Sequence, residues 1–158
     1  MIGEERFRTV MGHFATGVTI VASRDQDGNA VGLTVNAFCS VSLSPPLVLV
    51  CVHRNADSHG PILEAGHFGV SVLRPDQADL AVRFSVEDSA LRFKDVSVVE
   101  GVLGSPRIEG SLAWLQCRVR NVYPGGDHSI IVGEVVECEA SEGPPLVFFR
   151  GSLEAPAR

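Results

Sequence analysis

The chain lacks the cysteine patterns that build metal sites and redox centres. Its 158 residues include four cysteines, Cys39, Cys51, Cys117 and Cys138, and no two of them form a Cys-x-x-Cys pair. No histidine stands at metal-ligand spacing from them, so neither a structural zinc site nor a redox dithiol is indicated. Each cysteine lies in an apolar run, which predicts buried free thiols in a reducing cytoplasm.

The chain is also short of basic residues and of long apolar runs. Lys and Arg number 13 against 19 Asp and Glu, which gives a net charge of -6, and the basic residues form no cluster that could neutralise a phosphate backbone. No apolar run reaches membrane-spanning length, and the N-terminus has charged residues in place of a signal-sequence core. We therefore expect a cytoplasmic protein that binds neither nucleic acid nor membranes.

Two common nucleotide-binding motifs are absent as well. No Gly-x-Gly-x-x-Gly follows a predicted strand and no Gly-x-x-x-x-Gly-Lys occurs, so neither a Rossmann fold nor a P-loop is predicted. Repeats and low-complexity segments are also missing, while hydrophobic residues make up 45% of the chain. A chain of this length and composition is expected to form one domain, residues 1–158, around its own core.

Apolar periodicity predicts three short helices. Apolar residues at 7, 10, 11 and 14 share one face of an opening helix that ends at Gly17. A second helix is predicted to begin at Ser58 as N-cap and to end at Gly66. A third is capped by Asp76, while residues 85–110 are mixed and rich in turn residues, without assignable elements.

Runs of β-branched and apolar residues separated by turn residues predict strands in hairpins. The run from Leu47 to His53 is continuously apolar, which predicts a central strand buried on both faces. In the strand 112–122, alternation places Gln116 outward, opposite to Cys117. Because the helices do not alternate regularly with strands, the pattern favours a mainly β, antiparallel barrel. The strands are predicted at 18–23, 31–36, 47–53, 68–73, 112–122, 129–139 and 146–149.

Small polar residues stand between two strand-like runs in the segment from Gly32 to Val50. Thr34, Asn36 and Ser40 supply hydroxyls and an amide beside apolar strands. An isoalloxazine ring has apolar faces and a polar edge, so a site for it requires such groups along an apolar wall. On the residues alone, a plain turn at a strand end is the commoner explanation.

Several motifs in this chain resemble one known family. It has Thr-Gly-Val-Thr at 16–19, Gly-Leu-Thr-Val-Asn-Ala-Phe-Cys-Ser at 32–40 and Pro-Pro-Leu at 45–47. In order and spacing these resemble the signature of the flavin reductase-like family of FMN-binding split barrels, which includes the short-chain reductase component of two-component monooxygenases. The likeness implies an antiparallel, Greek-key-like split β-barrel with a few short flanking helices. It continues through Arg-Phe at 83–84 and 92–93, Leu-Ala-Trp-Leu at 112–115, Gly-Asp-His at 126–128 and Phe-Arg-Gly at 149–151.

The resemblance implies FMN or FAD bound between two protomers of a homodimer, with NADH or NADPH as electron donor. The flavin ring would lie against the strand 34–40, and the flavin phosphate would bind just past the next strand. That region has a guanidinium, short hydrogen-bond donors and the start of the second helix, which together favour the binding of an anion. On the residues alone, however, Ser58 is a helix cap and Arg54 is a solvated charge. The implied cofactor-binding residues are Thr34, Val35, Asn36, Ala37, Cys39, Ser40, Cys51, Arg54, Asn55, Ser58, His59, Phe84, Asp127 and His128.

The Gly-Asp-His motif ending at His128 is, on the residues alone, a hairpin turn. In the family, the matching motif is associated with the nicotinamide donor. Hydride transfer from nicotinamide C4 to flavin N5 is intrinsic to the two cofactors, so the protein mainly has to stack the rings. We therefore expect His128 to position the nicotinamide rather than to act as an acid or base. His13, His53 and His67 have no partner in sequence and no expected role.

The motifs favour an NAD(P)H-dependent flavin reductase that supplies reduced flavin to a transient monooxygenase partner. The alternative is a flavin carrier or sensor without NAD(P)H turnover. A thiol hydrolase using Cys39 is the third hypothesis, although no oxyanion-hole motif supports it. Cys39 stands where the family usually has Thr or Ser, Phe148 where Tyr is frequent, and Leu153 follows in place of an aromatic residue. These departures leave fewer hydroxyls near the flavin.

Overall fold

The computed structural model describes residues 1–156 and shows a mainly β, antiparallel fold, as predicted. The helices are α1 (Glu4–Met11), α2 (His59–Ala65) and α3 (Ala78–Val86), with 3-10 turns at Pro75–Gln77 and Ser89–Leu91. The strands are β1 (Thr16–Gly17), β2 (Thr19–Arg24), β3 (Ala30–Val35), β4 (Phe38–Leu43), β5 (Pro46–His53), β6 (His67–Val72), β7 (Val98–Glu100), β8 (Pro106–Ile108), β9 (Ala113–Gly125), β10 (His128–Ala140), β11 (Val147–Phe149) and β12 (Ser152–Glu154).

Seven strands form one curved sheet in the order β3-β2-β6-β9-β10-β5-β4, with every neighbouring pair antiparallel. The two edge strands, β3 and β4, follow each other in the chain and are joined only by Asn36 and Ala37. Three Cα steps span at most about 11 Å, so the edges must approach each other where these residues lie. The sheet is therefore rolled, and its two edges meet at one corner.

The core consists of two apolar clusters on opposite faces of β2. Val21 packs inside the rolled sheet against Val50 and Phe68, whereas Ile20 packs on the other side against Phe84 of α3. Thus β2 is buried on both faces, and so is its neighbour β6. The same prediction for the run Leu47–His53 is wrong, because only alternate residues of β5 face the core and the others are half-buried.

Residues 85–110, which sequence patterns left unassigned, cover part of the sheet with the β7–β8 pair. This cover buries Gln116 completely, and its Nε2 donates to the Ser105 carbonyl at 3.2 Å. The prediction that Gln116 faces outward is therefore wrong. Alternation gives the face of the strand on which a side chain lies, but it does not show whether another segment covers that face.

Several predicted helix ends and buried thiols also need correction. The α1 helix ends at Met11 rather than Gly17, and Asp76 lies inside a 3-10 turn instead of capping α3. Ser58 is the N-cap of α2 as predicted, although its side chain makes no capping hydrogen bond. Gly66 does end α2, in the left-handed conformation with φ of 73°. Of the four predicted buried thiols, only that of Cys117 is fully buried, and burial raises its pKa to about 12. The other three lie on half-open or exposed strand faces.

Candidate functional site

A cavity of about 890 Å³ opens beside the corner where the sheet edges meet. Its walls come from α1, the 36–39 corner, β5 and the β11–β12 hairpin. The lining is mainly apolar. The lining residues are Arg8, Thr9, Met11, Gly12, His13, Phe14, Thr16, Asn36, Ala37, Phe38, Cys39, Leu49, Cys51, Phe148, Arg150 and Gly151.

Strand alternation places the wall residues on one face. Cys39 pairs directly with Leu49 across β4 and β5, and Cys51 follows two residues later on the same face. The Cys51 backbone N–H donates to the Ala37 carbonyl at 3.0 Å, which fixes the corner against β5. Burial, and then the nearby Cys39 thiol, raise the pKa of Cys51. The Cys51 thiol is therefore a neutral, weak hydrogen-bonding group in the wall.

Two polar residues border this cavity. The Thr16 hydroxyl is shielded from solvent and has no hydrogen-bond partner within residues 1–156. The Asn36 side chain is exposed at the corner. A shielded hydroxyl without a partner costs free energy unless a ligand or water satisfies it. An apolar wall with an exposed amide at its edge fits a flat heterocycle that has apolar faces and a polar edge.

A second, more polar cavity of about 340 Å³ lies on the other side of β3. Thr34, Asn55, Ser85 and Arg92 are among its lining residues. The Arg92 Nη1 and Nε atoms donate to the Gly32 and Glu87 carbonyls at 2.8 and 3.0 Å, so the guanidinium is held in place. A fixed guanidinium with neighbouring amide and hydroxyl groups is suited to binding an anion.

A third cavity, of about 390 Å³, lies between these two. It shares Asn36 with the first cavity and Thr34 with the second. The three cavities therefore border one another past the end of β3, and we call the set of three the trough. This trough has an apolar end at Cys39 and Cys51 and a polar end at Arg92.

The turn between β9 and β10 brings two imidazoles to one carboxylate. His128 Nδ1 lies 2.6 Å from Asp127 Oδ1, and His53 Nε2 lies 3.8 Å from Asp127 Oδ2. The pKa of Asp127 is lowered, mainly by the hydrogen bond from His128. Burial has a weaker, opposing effect, and the charges of both histidines lower the pKa further. An ionised carboxylate only accepts hydrogen bonds, so His128 Nδ1 is the donor.

Residues 11–156 match the family model of the flavin reductase like domain, which covers nearly the whole chain. The chain belongs to this family. The predicted family and the predicted enzyme class, a flavin reductase, are both confirmed. In the described part of this flavin reductase-like protein, no helix is long and apolar enough to cross a membrane. Residues 1–156 also contain no cluster of His, Cys, Asp and Glu side chains that could hold a metal ion.

Named relatives are similar over most of their length. The reductase component of 4-nitrophenol 4-monooxygenase/4-nitrocatechol 2-monooxygenase from Rhodococcus opacus is 43% identical over 150 residues, 95% of this chain and 80% of that protein. The FMN reductase (NADH) of Agrobacterium fabrum is 42% identical over 147 residues, 93% of this chain and 83% of that protein. An NADH:FAD oxidoreductase of Streptomyces globisporus, solved with NAD and FAD fragments, superposes with a TM-score of 0.89 at 36% identity, covering 99% and 96% of the two chains.

The predicted flavin-ring residues of this flavin reductase-like domain do not share one environment. Asn36, Ala37, Cys39 and Cys51 line the first cavity. Val35 is buried in the core, so only its backbone can reach a ligand. The remaining members are placed as follows: Ser40 is exposed on β4, Phe84 is fully buried and borders the second cavity, and the Thr34 hydroxyl donates to the Ala81 carbonyl at 2.6 Å.

The predicted phosphate-binding residues do not come together. Asn55 lines the second cavity, but the Ser58 hydroxyl is buried without a partner in the described residues and borders none of the three cavities. His59 Nε2 contacts the Ser129 hydroxyl at 2.8 Å, and Arg54 is exposed. Sequence reasoning gave Arg92 no role, although the Arg-Phe pair at 92–93 marks it as part of the family likeness. The contact of Arg92 with Gly32 crosses 60 residues and has no local sequence signal.

The thiol hydrolase hypothesis gains no support from the surroundings of Cys39. A nucleophilic thiol needs a hydrogen-bonded base, usually a histidine. Each of the five histidines has another partner: His13 the Thr9 carbonyl, His53 the Asn55 amide, His59 the Ser129 hydroxyl, His67 the Ser105 hydroxyl and His128 the Asp127 carboxylate.

Proposed function

We propose that this protein transfers hydride from NADH or NADPH to FMN or FAD and passes the reduced flavin to a partner monooxygenase. The observation that carries the proposal is the trough that leads from an apolar cavity to a polar one past the corner 36–39. Relatives named as an FMN reductase (NADH), an NADH:FAD oxidoreductase and a monooxygenase reductase component support each part of it.

In this proposal the apolar end of the trough holds the isoalloxazine ring. Ala37, Cys39, Leu49 and Cys51 supply the wall, and the exposed Asn36 side chain at the corner supplies a hydrogen-bonding group. When bound, the flavin accepts a hydride and stores two electrons. Because the wall excludes water from one face of the ring, the protein can hold the ring flat while its other face stays open to the donor.

The polar end of the trough would hold the flavin phosphate. Arg92 is fixed by two backbone carbonyls and lies in a lining that also contains Asn55 and Ser85. Two of its nitrogens are committed to the fold, which leaves its remaining N–H groups for a phosphate oxygen. The Asp57 carboxylate in the same lining disfavours an anion there, so a phosphate would bind on the Arg92 side of the cavity.

His128 would position the nicotinamide. The Asp127 carboxylate holds its Nδ1–H, so Nε2 lies on the opposite edge of the ring, where it has no hydrogen-bond partner within residues 1–156. Asp127 stays ionised because the His128 hydrogen bond lowers its pKa, and it can therefore fix this orientation throughout the neutral pH range.

We further propose that the single domain 1–158 works as a cytoplasmic homodimer with the flavin between protomers. The α1 helix buries none of its residues, and Phe7 and Phe14 are 59% and 70% exposed. Because α1 also borders the first cavity, a second protomer seated on this apolar face would cover the cavity mouth. A cytoplasmic location agrees with the use of NADH or NADPH, because both donors are present in the cytoplasm.

Oxidation of NADH by the purified protein tests the proposed function. We expect oxidation that depends on added FMN or FAD, with a His128→Ala variant losing about 10- to 100-fold in kcat/KM for the donor, which is roughly 1.4–2.7 kcal/mol. Absorbance at 340 nm measures the rate, and a reaction without flavin is the control. A flavin that dithionite reduces but both nicotinamides leave oxidised would instead identify a carrier or sensor.

Arg150 supplies a prediction that links stability to binding. Arg150 and Gly151 are the central residues of the β11–β12 turn and have φ of 50° and 82°, which suit a turn that favours glycine. A non-glycine residue with such a positive φ costs roughly 1–2 kcal/mol. Glycine avoids this cost, but it loses more backbone entropy on folding, which offsets part of the gain. Arg150→Gly is therefore expected to raise the free energy of unfolding by about 0.5–1 kcal/mol.

The same substitution removes a guanidinium from the lining of the first cavity. We expect flavin affinity to fall about fivefold, equivalent to roughly 1 kcal/mol, because an exposed positive group no longer attracts the anionic ligand. Urea unfolding and flavin titration measure the two effects. A variant that is less stable than the parent, or that binds flavin equally well, contradicts the prediction.

A further inference from the structure

His53, the last residue of β5, lies beside His128 although sequence reasoning gave it no role. The two residues are direct partners in the β5–β10 register, so their side chains share one face of the sheet. Their ring centroids are 5.0 Å apart at an interplanar angle of 73°. Cys51 and Leu49 precede His53 on the same face, which is the wall of the first cavity. His53 lies roughly 7 Å beyond Cys51 along the strand, outside the lining of the first cavity.

The hydrogen bonds around His53 assign its proton. The Asn55 backbone N–H donates to His53 Nδ1 at 3.0 Å, so Nδ1 is the acceptor and the ring proton is on Nε2. Nε2 in turn faces Asp127 Oδ2 at 3.8 Å, which is an electrostatic contact rather than a direct hydrogen bond. His53 is thus oriented by the backbone on one side and presents an N–H dipole to the carboxylate on the other.

Asp127 consequently lies between two N–H groups that come from different strands. One oxygen accepts from His128 Nδ1 at 2.6 Å, and the other faces His53 Nε2. The Asp127 carbonyl also accepts from the Arg54 backbone N–H at 3.0 Å, which ties the turn to the end of β5. The side chain of Asp127 is otherwise exposed at 74%, and His53 is the neighbour that it faces on the side away from His128.

We infer that His53 is a positioning residue of the nicotinamide site: it holds the Asp127 carboxylate, which in turn holds the His128 ring. The inference rests on the proposed function, because it takes His128 as the group that contacts the donor. The rings of donor and flavin must approach to about 3–3.5 Å for hydride transfer, so a freely rotating His128 weakens donor binding. Loss of His53 is therefore expected to raise the KM for NADH without changing the Kd for the flavin.

Two substitutions of His53 test the roles of its two ring nitrogens separately. In His53→Asn, the amide oxygen replaces Nδ1 as acceptor for Asn55, but the side chain is too short to reach Asp127. In His53→Gln, the longer side chain places an N–H group near the position of Nε2. If positioning is the role, His53→Asn and His53→Ala raise the KM for NADH about five- to tenfold, whereas His53→Gln stays within about twofold of the parent. In all three variants, kcat and the flavin Kd stay unchanged.

An NMR measurement tests the positioning without enzyme activity. Long-range ¹H–¹⁵N spectra report which nitrogen of His128 carries the proton. We expect the Nδ1-protonated form in the parent and in His53→Gln, and a mixture of tautomers in His53→Asn. Equal KM values in the parent and all three variants, or equal loss in Asn and Gln variants, overturns the inference. A parent without flavin-dependent NADH oxidation overturns the proposed function instead, while the NMR spectra still decide whether His53 orients His128.

Discussion

Replacement of Ala37 by tryptophan is expected to abolish measurable flavin binding while the fold stays intact. Ala37 is exposed, lines the first cavity and lies at the corner where the sheet edges meet. A large side chain there extends into the cavity rather than into the core, so the ring loses its place against Cys39 and Cys51. We expect the flavin Kd to rise by at least about 100-fold, equivalent to roughly 2.7 kcal/mol, in a fluorescence titration.

Ala140→Trp is the matched control for this experiment. Ala140 is also exposed, but it ends β10 and borders none of the three cavities. The control variant should bind flavin like the parent, and both variants should keep the parent circular dichroism spectrum. Parent-like flavin affinity in Ala37→Trp would place the isoalloxazine ring outside the first cavity and would remove the main support for the proposed function.

Phe84→Ala is expected to cause the largest loss of stability. Phe84 is fully buried, packs edge to face against Phe93 at 4.8 Å and joins α3 to Ile20 of the sheet in the second apolar cluster. Removing a buried phenyl ring leaves a cavity and typically costs about 3–5 kcal/mol. Urea unfolding at a fixed protein concentration measures the loss, since a dimer would make apparent stability depend on concentration.

Val86→Ala is the control on the same helix. Val86 is 72% exposed, so its truncation should change the free energy of unfolding by less than about 0.5 kcal/mol. Because Phe84 also borders the polar end of the trough, Phe84→Ala should weaken flavin binding at protein concentrations where it remains folded. A loss of stability below about 1 kcal/mol would mean that α3 can repack around the missing ring, and the second cluster would then not hold the trough in shape.

Features of the fold that depend on neighbouring residues could be predicted from the sequence. The hairpin strands and the stop of α2 at Gly66 follow from local patterns, and the structure has both, whereas the strand β4 (Phe38–Leu43) was not predicted. The boundaries moved where caps were inferred from residue type alone, since α1 ends before Gly17 and α3 begins after Asp76. The type of an element was therefore more predictable than the way it ends.

Features that depend on distant pairing could not be predicted. His53 meets His128 only because β5 pairs with β10, which lies 75 residues further along the chain. Arg92 reaches the trough through Gly32, and Gln116 is buried by a segment whose sequence shows no regular period. In each case the neighbour is set by sheet topology, and hydrophobic periodicity contains no information about which strands become partners.

The two-residue connection between the edge strands places different limits on composition and on length. Asn36 and Ala37 close the sheet and also form part of the cavity wall. Side chains alternate between the two faces of a strand, so one inserted residue would shift β4 by one position and turn Cys39 away from the cavity. A change of residue type at position 39, from the usual hydroxyl to a thiol, leaves that geometry intact. The corner can therefore vary in chemistry during evolution, whereas its length has to stay fixed.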